Sequence, residues 1–261
     1  MRDTVDGLIL RETESGDHDK LLTVLTAEYG KILISAKGVR SSKSKYVSLC
    51  RAFTYANFEY YEKGGMRWLA GGEITDSFYG LGSSLEGFAL ASYVAELAGE
   101  LSGEGVNAAA LLRVTLNTLY AIEKELKPLL LIKGAFELYT AAISGFAPDF
   151  SACSECGCVE GDSFYLNVMN GSIICEDCLR RGYAKAGRGE SESANILIPL
   201  RPSTVSAIRY LLAADPKRLF AFELSEAEDI ENLSKVGETY VRNHLERDFE
   251  TLNFFKSVSD I

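Results

Sequence analysis

Ala52-Phe53-Thr54-Tyr55-Ala56-Asn57-Phe58-Glu59-Tyr60-Tyr61 runs into Lys63-Gly64-Gly65 and out through Arg67-Trp68-Leu69-Ala70-Gly71-Gly72-Glu73-Ile74. The first part is rich in aromatics with partial alternation, which suits a strand with one buried face. The glycines tolerate the positive φ of a hairpin turn, so the second part reads as the returning strand. Upstream, Gly7-Leu8-Ile9-Leu10-Arg11 and Leu21-Leu22-Thr23-Val24-Leu25-Thr26 read as strands. Glu28-Tyr29-Gly30-Lys31 reads as a tight turn into Ile32-Leu33-Ile34-Ser35-Ala36. Five short strands in the first 80 residues predict a small closed or nearly closed β-barrel.

After Gly82 the apolar period becomes helical. Ser83-Ser84-Leu85-Glu86 has capping-box spacing, with Ser83 as N-cap and Glu86 at N3. A helix follows through Phe88, Val94 and Leu97 to Leu101 and is broken by Gly103-Glu104-Gly105. A second spans residues 107–126, and a third opens near Pro128 and stops at Gly145 and Pro148. Helices resume over residues 203–214, and a last one, capped by Ser225 and Glu228, runs to Phe249. The predicted class is α+β and multidomain. Residues 1–80 form the β-barrel, residues 81–149 with 191–261 an all-α domain, and residues 150–190 a cysteine-bearing insert with a Gly- and Ser-rich tail.

Hydrophobic residues at 47% and charged residues at 25% of 261 fit a globular protein and exclude global disorder. The net charge of −10 excludes a surface coated in positive charge for wholesale nucleic-acid wrapping, though not a local basic patch. The charged start, Met1-Arg2-Asp3-Thr4-Val5-Asp6, lacks the apolar core of a signal peptide. The longest apolar run, residues 128–132, is far too short to span a bilayer. A cytoplasmic protein without membrane contact is expected.

Cys153-x-x-Cys156, eighteen residues, then Cys175-x-x-Cys178 is the most specific local signal. Each pair puts two thiolates on one tight turn, and two such knuckles make a tetrahedral sulfur cage suited to zinc. Asp162-Ser163-Phe164-Tyr165-Leu166-Asn167 and Gly171-Ser172-Ile173-Ile174 between them read as the hairpin of a zinc ribbon. Four thiolates leave no open position, so one structural Zn2+ per chain is expected. Two redox pairs are the competing reading. Cys158 is a spare or alternative ligand, and Cys50 is expected to be a small buried hydrophobe.

Lys31, Lys37, Arg40, Lys43, Lys45 and Arg51 fall in a window with no acidic residue. Residues 1–80 carry 11 basic and 11 acidic side chains, so this window holds more than half of that region's positive charge. A patch of +6 on a neutral barrel is what a phosphate backbone would seek, with Lys37, Arg40, Lys43 and Lys45 as the first expected phosphate contacts. Gly38, Ser41, Ser42 and Ser44 would add flexibility and hydroxyl donors. Tyr46, Phe53, Tyr55, Phe58, Tyr60 and Tyr61 include possible base-stacking rings, although alternation sends about half of them to the core. A solvated loop beside a barrel remains the plain alternative.

No phosphate-binding G-x-x-x-x-G-K-[ST] and no G-x-S-x-G is present. His18 and His244 are expected at the surface, and no nucleophile, base and oxyanion site assembles, so no catalytic residue is assigned. Asp17 and Asp19 suit a metal no better than a charged turn.

The ordered series Gly7 to Arg11, Gly16-Asp17-His18-Asp19-Lys20 into the second strand, Tyr29-Gly30-Lys31, Ala36-Lys37-Gly38-Val39-Arg40, Lys43-Ser44, the four cysteines after three helices, and the last helix from Tyr240 to Leu245 resembles the bacterial RecO family of DNA repair proteins. The likeness covers nearly the full length, with the acidic total and the extra Cys158 as departures. It implies a non-enzymatic recombination mediator working in the cytoplasm on the nucleoid. It also implies an OB fold that binds single- and double-stranded DNA and anneals complementary strands. The implied partners are the tail of single-stranded DNA-binding protein and RecR, with RecA loaded indirectly onto coated strands. An alternative is an adaptor whose helical domain binds a partner's peptide tail, with Arg180 and Arg181 meeting acidic residues.

Overall fold

A computed structural model describes residues 2–161, 163–182 and 196–259. Asp162 and the Gly- and Ser-rich tail of the insert, from residue 183, lie outside the described residues. The chain divides into two compact units: residues 1–126 with 249–261, and residues 127–248.

In the first unit, β1 (Asp3–Ser15), β2 (Asp19–Thr26), β3 (Gly30–Ala36), β4 (Tyr55–Lys63) and β5 (Met66–Asp76) close a barrel in the order β1-β2-β3-β5-β4. Closure removes sheet edges, the usual liability of short antiparallel strands. It is made by β3 and β5, which pair in parallel at Ile34 with Arg67 and Ser35 with Trp68. The predicted hairpin turn is present, with Gly64 and Gly65 at φ +61° and +74°. Alternation sends Leu22 and Val24, Ile32, Ile34 and Ala36, and Ala56, Phe58 and Tyr60 inward to one core.

The helices of this unit are α1 (Leu85–Leu101), α2 (Ala109–Glu123) and α7 (Glu250–Val258). The N-cap of α1 is Ser84, not the expected Ser83. The Ser84 hydroxyl accepts the Gly87 N–H at 3.1 Å and donates to the Glu86 carboxylate at 2.9 Å. Ser83 belongs instead to a 3-10 turn, Tyr79–Ser83, where its hydroxyl donates to the Gly80 carbonyl at 2.6 Å. Helix α7 packs on α1, with Phe249 edge-on to Tyr93 and ring centroids 5.6 Å apart.

The second unit holds α3 (Leu129–Ile143), β6 (Phe164–Asn167), β7 (Ser172–Cys175), α4 (Glu176–Arg180), β8 (Leu197–Leu200), α5 (Pro202–Ala213) and α6 (Ala227–Leu245). Strands β6 and β7 are the expected ribbon hairpin. Strand β8, which the sequence reading missed, joins β6 on its other side. Pro199 cannot donate to the ladder, which hides β8 from a propensity reading and suits it to an edge. The last helix does not run to Phe249. It stops at Glu246, whose φ of +49° is left-handed, and α7 restarts after it. Glu246-Arg247-Asp248 has no apolar side chain to continue the stripe. Ser225 and Glu228 do not form the expected box, because the N-cap of α6 is Glu226.

Candidate functional site

The basic residues lie on the segment joining β3 to β4. That segment is built, not loose. Gly38, at φ +63°, donates its N–H to the Asp19 carboxylate at 2.7 Å, and Arg40 N–H reaches the His18 carbonyl at 2.9 Å. Asp19 therefore holds the loop. Ser41 and Ser44 accept from backbone N–H groups within turns, where flexibility was expected. Val39, Leu49, Cys50 and Phe53 are buried and anchor the segment to the unit.

The six cations are placed differently. Lys31 Nζ donates to the Gly99 carbonyl at 2.5 Å. Arg40 pairs with Glu14 at 2.9 Å and donates to the Asp17 carbonyl at 3.2 Å. Lys37 lies 4.2 Å above the Trp68 ring and Lys45 lies 5.0 Å from the Tyr46 ring. Lys43 and Arg51 are exposed, and neither has an ion pair among the described residues. Trp68 and Tyr61 are register partners and share one face of the sheet. Tyr61 is exposed, Tyr46 and Tyr55 are half-buried, and Phe53, Phe58 and Tyr60 are core. Sequence reasoning missed Trp68. Its signal was being the chain's single tryptophan, just past the hairpin glycines.

Arg51 also lines a cavity of about 640 Å³ with Phe53, Phe78, Tyr79 and Phe88. Phe53 and Phe78 have φ of +65° and +42°. Such left-handed bulky residues cost on the order of 1–3 kcal/mol each, which the surrounding packing offsets. Tyr79 is 81% exposed at the rim.

In the second unit, the sulfurs of Cys153, Cys156, Cys175 and Cys178 all lie within 4.8 Å of one another. Cys153, Cys175 and Cys178 are buried and Cys156 is exposed. The first knuckle turns at Gly157, φ +73°, whose N–H donates to the Cys153 carbonyl at 2.9 Å. The second begins where β7 ends, with Cys178 on α4. Arg209 on α5 braces the first knuckle by donating to the Phe150 carbonyl at 2.7 Å and the Val159 carbonyl at 2.8 Å. Burial pushes the Cys153 thiol up, but N–H donors from Cys175, Cys156 and Glu155 outweigh it and bring it down to about 6. The Cys175 N–H is 3.3 Å from the Cys153 sulfur. Cys156 is lowered by the backbone N–H of Cys158 first, then by the thiols of Cys158 and Cys178. An all-sulfur donor set, mostly buried and with thiolate-stabilising N–H groups, fits a metal ion, and those four residues would hold it.

His18 and His244 are both exposed. His244 stacks on Phe146 with centroids 5.6 Å apart. Arg180 pairs with Glu176 at 2.6 Å, so its charge is engaged within α4. Among the described residues, no helix is long and apolar enough to cross a membrane.

These features define an OB-like barrel protein with a helical region and a four-cysteine site. The family model for the recombination protein O N terminal matches residues 1–78, and that for the C terminal matches residues 82–253. The chain belongs to the recombination protein O family. It is 28% identical over 257 residues to the DNA repair protein RecO of Acetivibrio thermocellus, covering 98% of this chain and 96% of that one. It is 26% identical over 257 residues to that of a Thermoanaerobacter species, covering 98% of both chains. It is 28% identical over 254 residues to that of Alkaliphilus metalliredigens, covering 97% of this chain and 98% of that one.

Proposed function

We propose that this protein is a DNA repair mediator without catalytic activity. It binds single- and double-stranded DNA through the loop between β3 and β4 and anneals complementary strands. With RecR and single-stranded DNA-binding protein as partners, it helps RecA load onto coated strands. It does so in the cytoplasm, on the nucleoid. The observation that carries the reading is the braced loop presenting Lys37, Arg40, Lys43, Lys45 and Arg51 outward, in a chain whose net charge is −10. Lys31 adds its charge from a fixed position at the barrel's edge. Phosphates fit these cations, and the exposed ring of Tyr61, next to the half-buried Trp68 that carries Lys37, fits an unstacked base. The name shared by the curated relatives, DNA repair protein RecO, supports the same reading.

The four cysteines hold one structural zinc. Four thiolates from Cys153, Cys156, Cys175 and Cys178 would complete its ligand set and leave no place for a reactive water, so its role would be to tie together the knuckles on either side of the β6–β7 hairpin.

The test is annealing of complementary oligonucleotides coated with the cognate single-stranded DNA-binding protein, across a salt series. Annealing needs no nucleotide and weakens as salt rises. Replacing Lys37, Arg40, Lys43 and Lys45 together by alanine flattens the dependence of log K on log salt by roughly 0.7 per lost contact on single strands. Unchanged affinity and slope in that variant would show that the loop is not the interface. Annealing of naked strands alone would keep DNA binding and remove the mediator role.

A further inference from the structure

The cavity at the end of the basic loop lies wholly within the first unit, between barrel segments and the start of α1. At about 640 Å³ it falls inside the roughly 300–1,000 Å³ of pockets that enclose small organic ligands. Phe53, Phe78, Tyr79 and Phe88 line it, and their backbone is pinned. The left-handed Phe53 donates its N–H to the Ile9 carbonyl at 2.8 Å, and the Ile9 N–H donates to the Thr54 carbonyl at 2.9 Å, where β1 breaks register. The Phe53 ring meets Phe88 edge-on, with centroids 5.6 Å apart. The left-handed Phe78 donates its N–H to the Asp76 carboxylate at 3.0 Å, and its carbonyl accepts the Leu81 N–H at 3.1 Å. The Gly80 N–H donates to the Glu123 carboxylate at 2.8 Å and so seats the turn that carries the exposed Tyr79. Glu12, the acidic residue of the lining, is engaged by Lys20. Arg51 in the same lining is exposed and has no ion pair among the described residues. The result is a preformed aromatic pocket with one uncompensated cation.

We propose that this cavity receives one unpaired base of a single DNA strand, stacked on Tyr79, with the adjoining phosphate on Arg51. This rests on the reading that the loop binds DNA. Aromatic rings around one guanidinium match a planar ring that carries an anion, which is the make-up of a nucleotide. Stacking accepts every base, because each has a π-face. The exposed Ser48 and Ser77 hydroxyls in the lining supply hydrogen bonds to the base edge. Arg51 also ends the run of cations that includes Lys43 and Lys45, so a strand whose phosphates follow the loop reaches the cavity with its charge already matched. Bases in a duplex stay paired and stacked and do not enter. The cavity therefore favours single strands over duplex, which the loop's cations alone do not.

The test measures affinities of the full-length protein for an oligo(dT) strand, a duplex and an abasic strand of equal length. In Tyr79→Ala the ratio of single-strand to duplex affinity falls by at least about fivefold, the lower end of what removing a base-stacking ring costs. Tyr79→Phe, which keeps the ring, restores the ratio. On the abasic strand, which keeps the phosphates and lacks the bases, wild type and Tyr79→Ala converge. Arg51→Gln flattens the single-strand slope of log K against log salt by about 0.7. Tyr79 is exposed, so its truncation leaves the fold in place, and matched melting curves verify this. An unchanged ratio in Tyr79→Ala, or an unchanged slope in Arg51→Gln, overturns the proposal. If Tyr79→Ala keeps the ratio but loses an acidic peptide with an aromatic end that wild type holds, the cavity is a peptide site instead. Wild-type protein that binds neither strand nor duplex would remove the underlying reading.

Discussion

Cys50 sits at the foot of the basic loop with no exposed surface, and its carbonyl accepts from Lys20 at 3.4 Å. Burial pushes its thiol from 9.0 to about 12, partly offset by the nearby Lys20 ammonium. An unfolded chain therefore loses this proton first. The contribution to stability is complete below pH 9 and is lost as pH rises toward 12. Denaturant unfolding at pH 8, 9.5 and 11 is expected to show a decline that is smaller in Cys50→Ala. A native-state thiol reagent at pH 8 leaves Cys50 unlabelled; rapid labelling there would contradict its burial. The residue type alone suggested a buried cysteine, but only the packing shows that it seats the loop. Lys31 carries the opposite lesson. Its charge was legible, and its bond to the Gly99 carbonyl was not, because the two residues are far apart in the chain.

Helices α3 and α6 meet where Gly134 faces Leu233 and Ser234. A Cβ on Gly134 would come 2.9 Å from the Leu233 carbonyl oxygen and 3.0 Å from the Ser234 Cα. Both are backbone atoms, so a side chain can be accommodated only by moving a helix. Gly134→Ala should destabilise by about 1–3 kcal/mol in denaturant unfolding, as overpacking does. A neutral result would mean that the helices separate freely. The same contact buries Lys133, whose ammonium lies 3.1 Å from Glu137 and 3.0 Å from Glu238 and also reaches Ser234. A buried charge needs such partners, since desolvation without them costs several kcal/mol. Strands and helices were largely legible because periodicities of two and 3.6 are local. Element ends were less so. The cap of α1 moved one residue because Ser83 bonds back into a 3-10 turn, and β8 was hidden because its partner strand is some thirty residues away.

At the scale of the molecule, charge is divided unevenly, with a balanced barrel region and the acidic excess elsewhere. Exposed cations on such a chain act through screened electrostatics, which gives the proposed DNA binding its salt dependence. Binding of the proposed zinc would be coupled to folding, so a chelator should lower the unfolding temperature of the second unit, and one equivalent of zinc should restore it. Cys153→Ser should mimic the chelated state. Folded, chelator-washed protein with no zinc and an unchanged melting curve would remove the structural role. The sequence by itself determined the barrel, the helical run, the cysteine knuckles and the cluster of cations, because each is written in neighbouring residues: alternation, capping residues, C-x-x-C spacing, a window without acids. Only the tertiary structure decided which strands close the barrel, that Glu14 and Asp19 brace the basic loop, that Lys37 lies over Trp68, and that Arg209 steadies the first knuckle. Those pairings bring together residues distant in the chain, and a contact of that kind is selected by packing of the whole fold rather than by any local pattern.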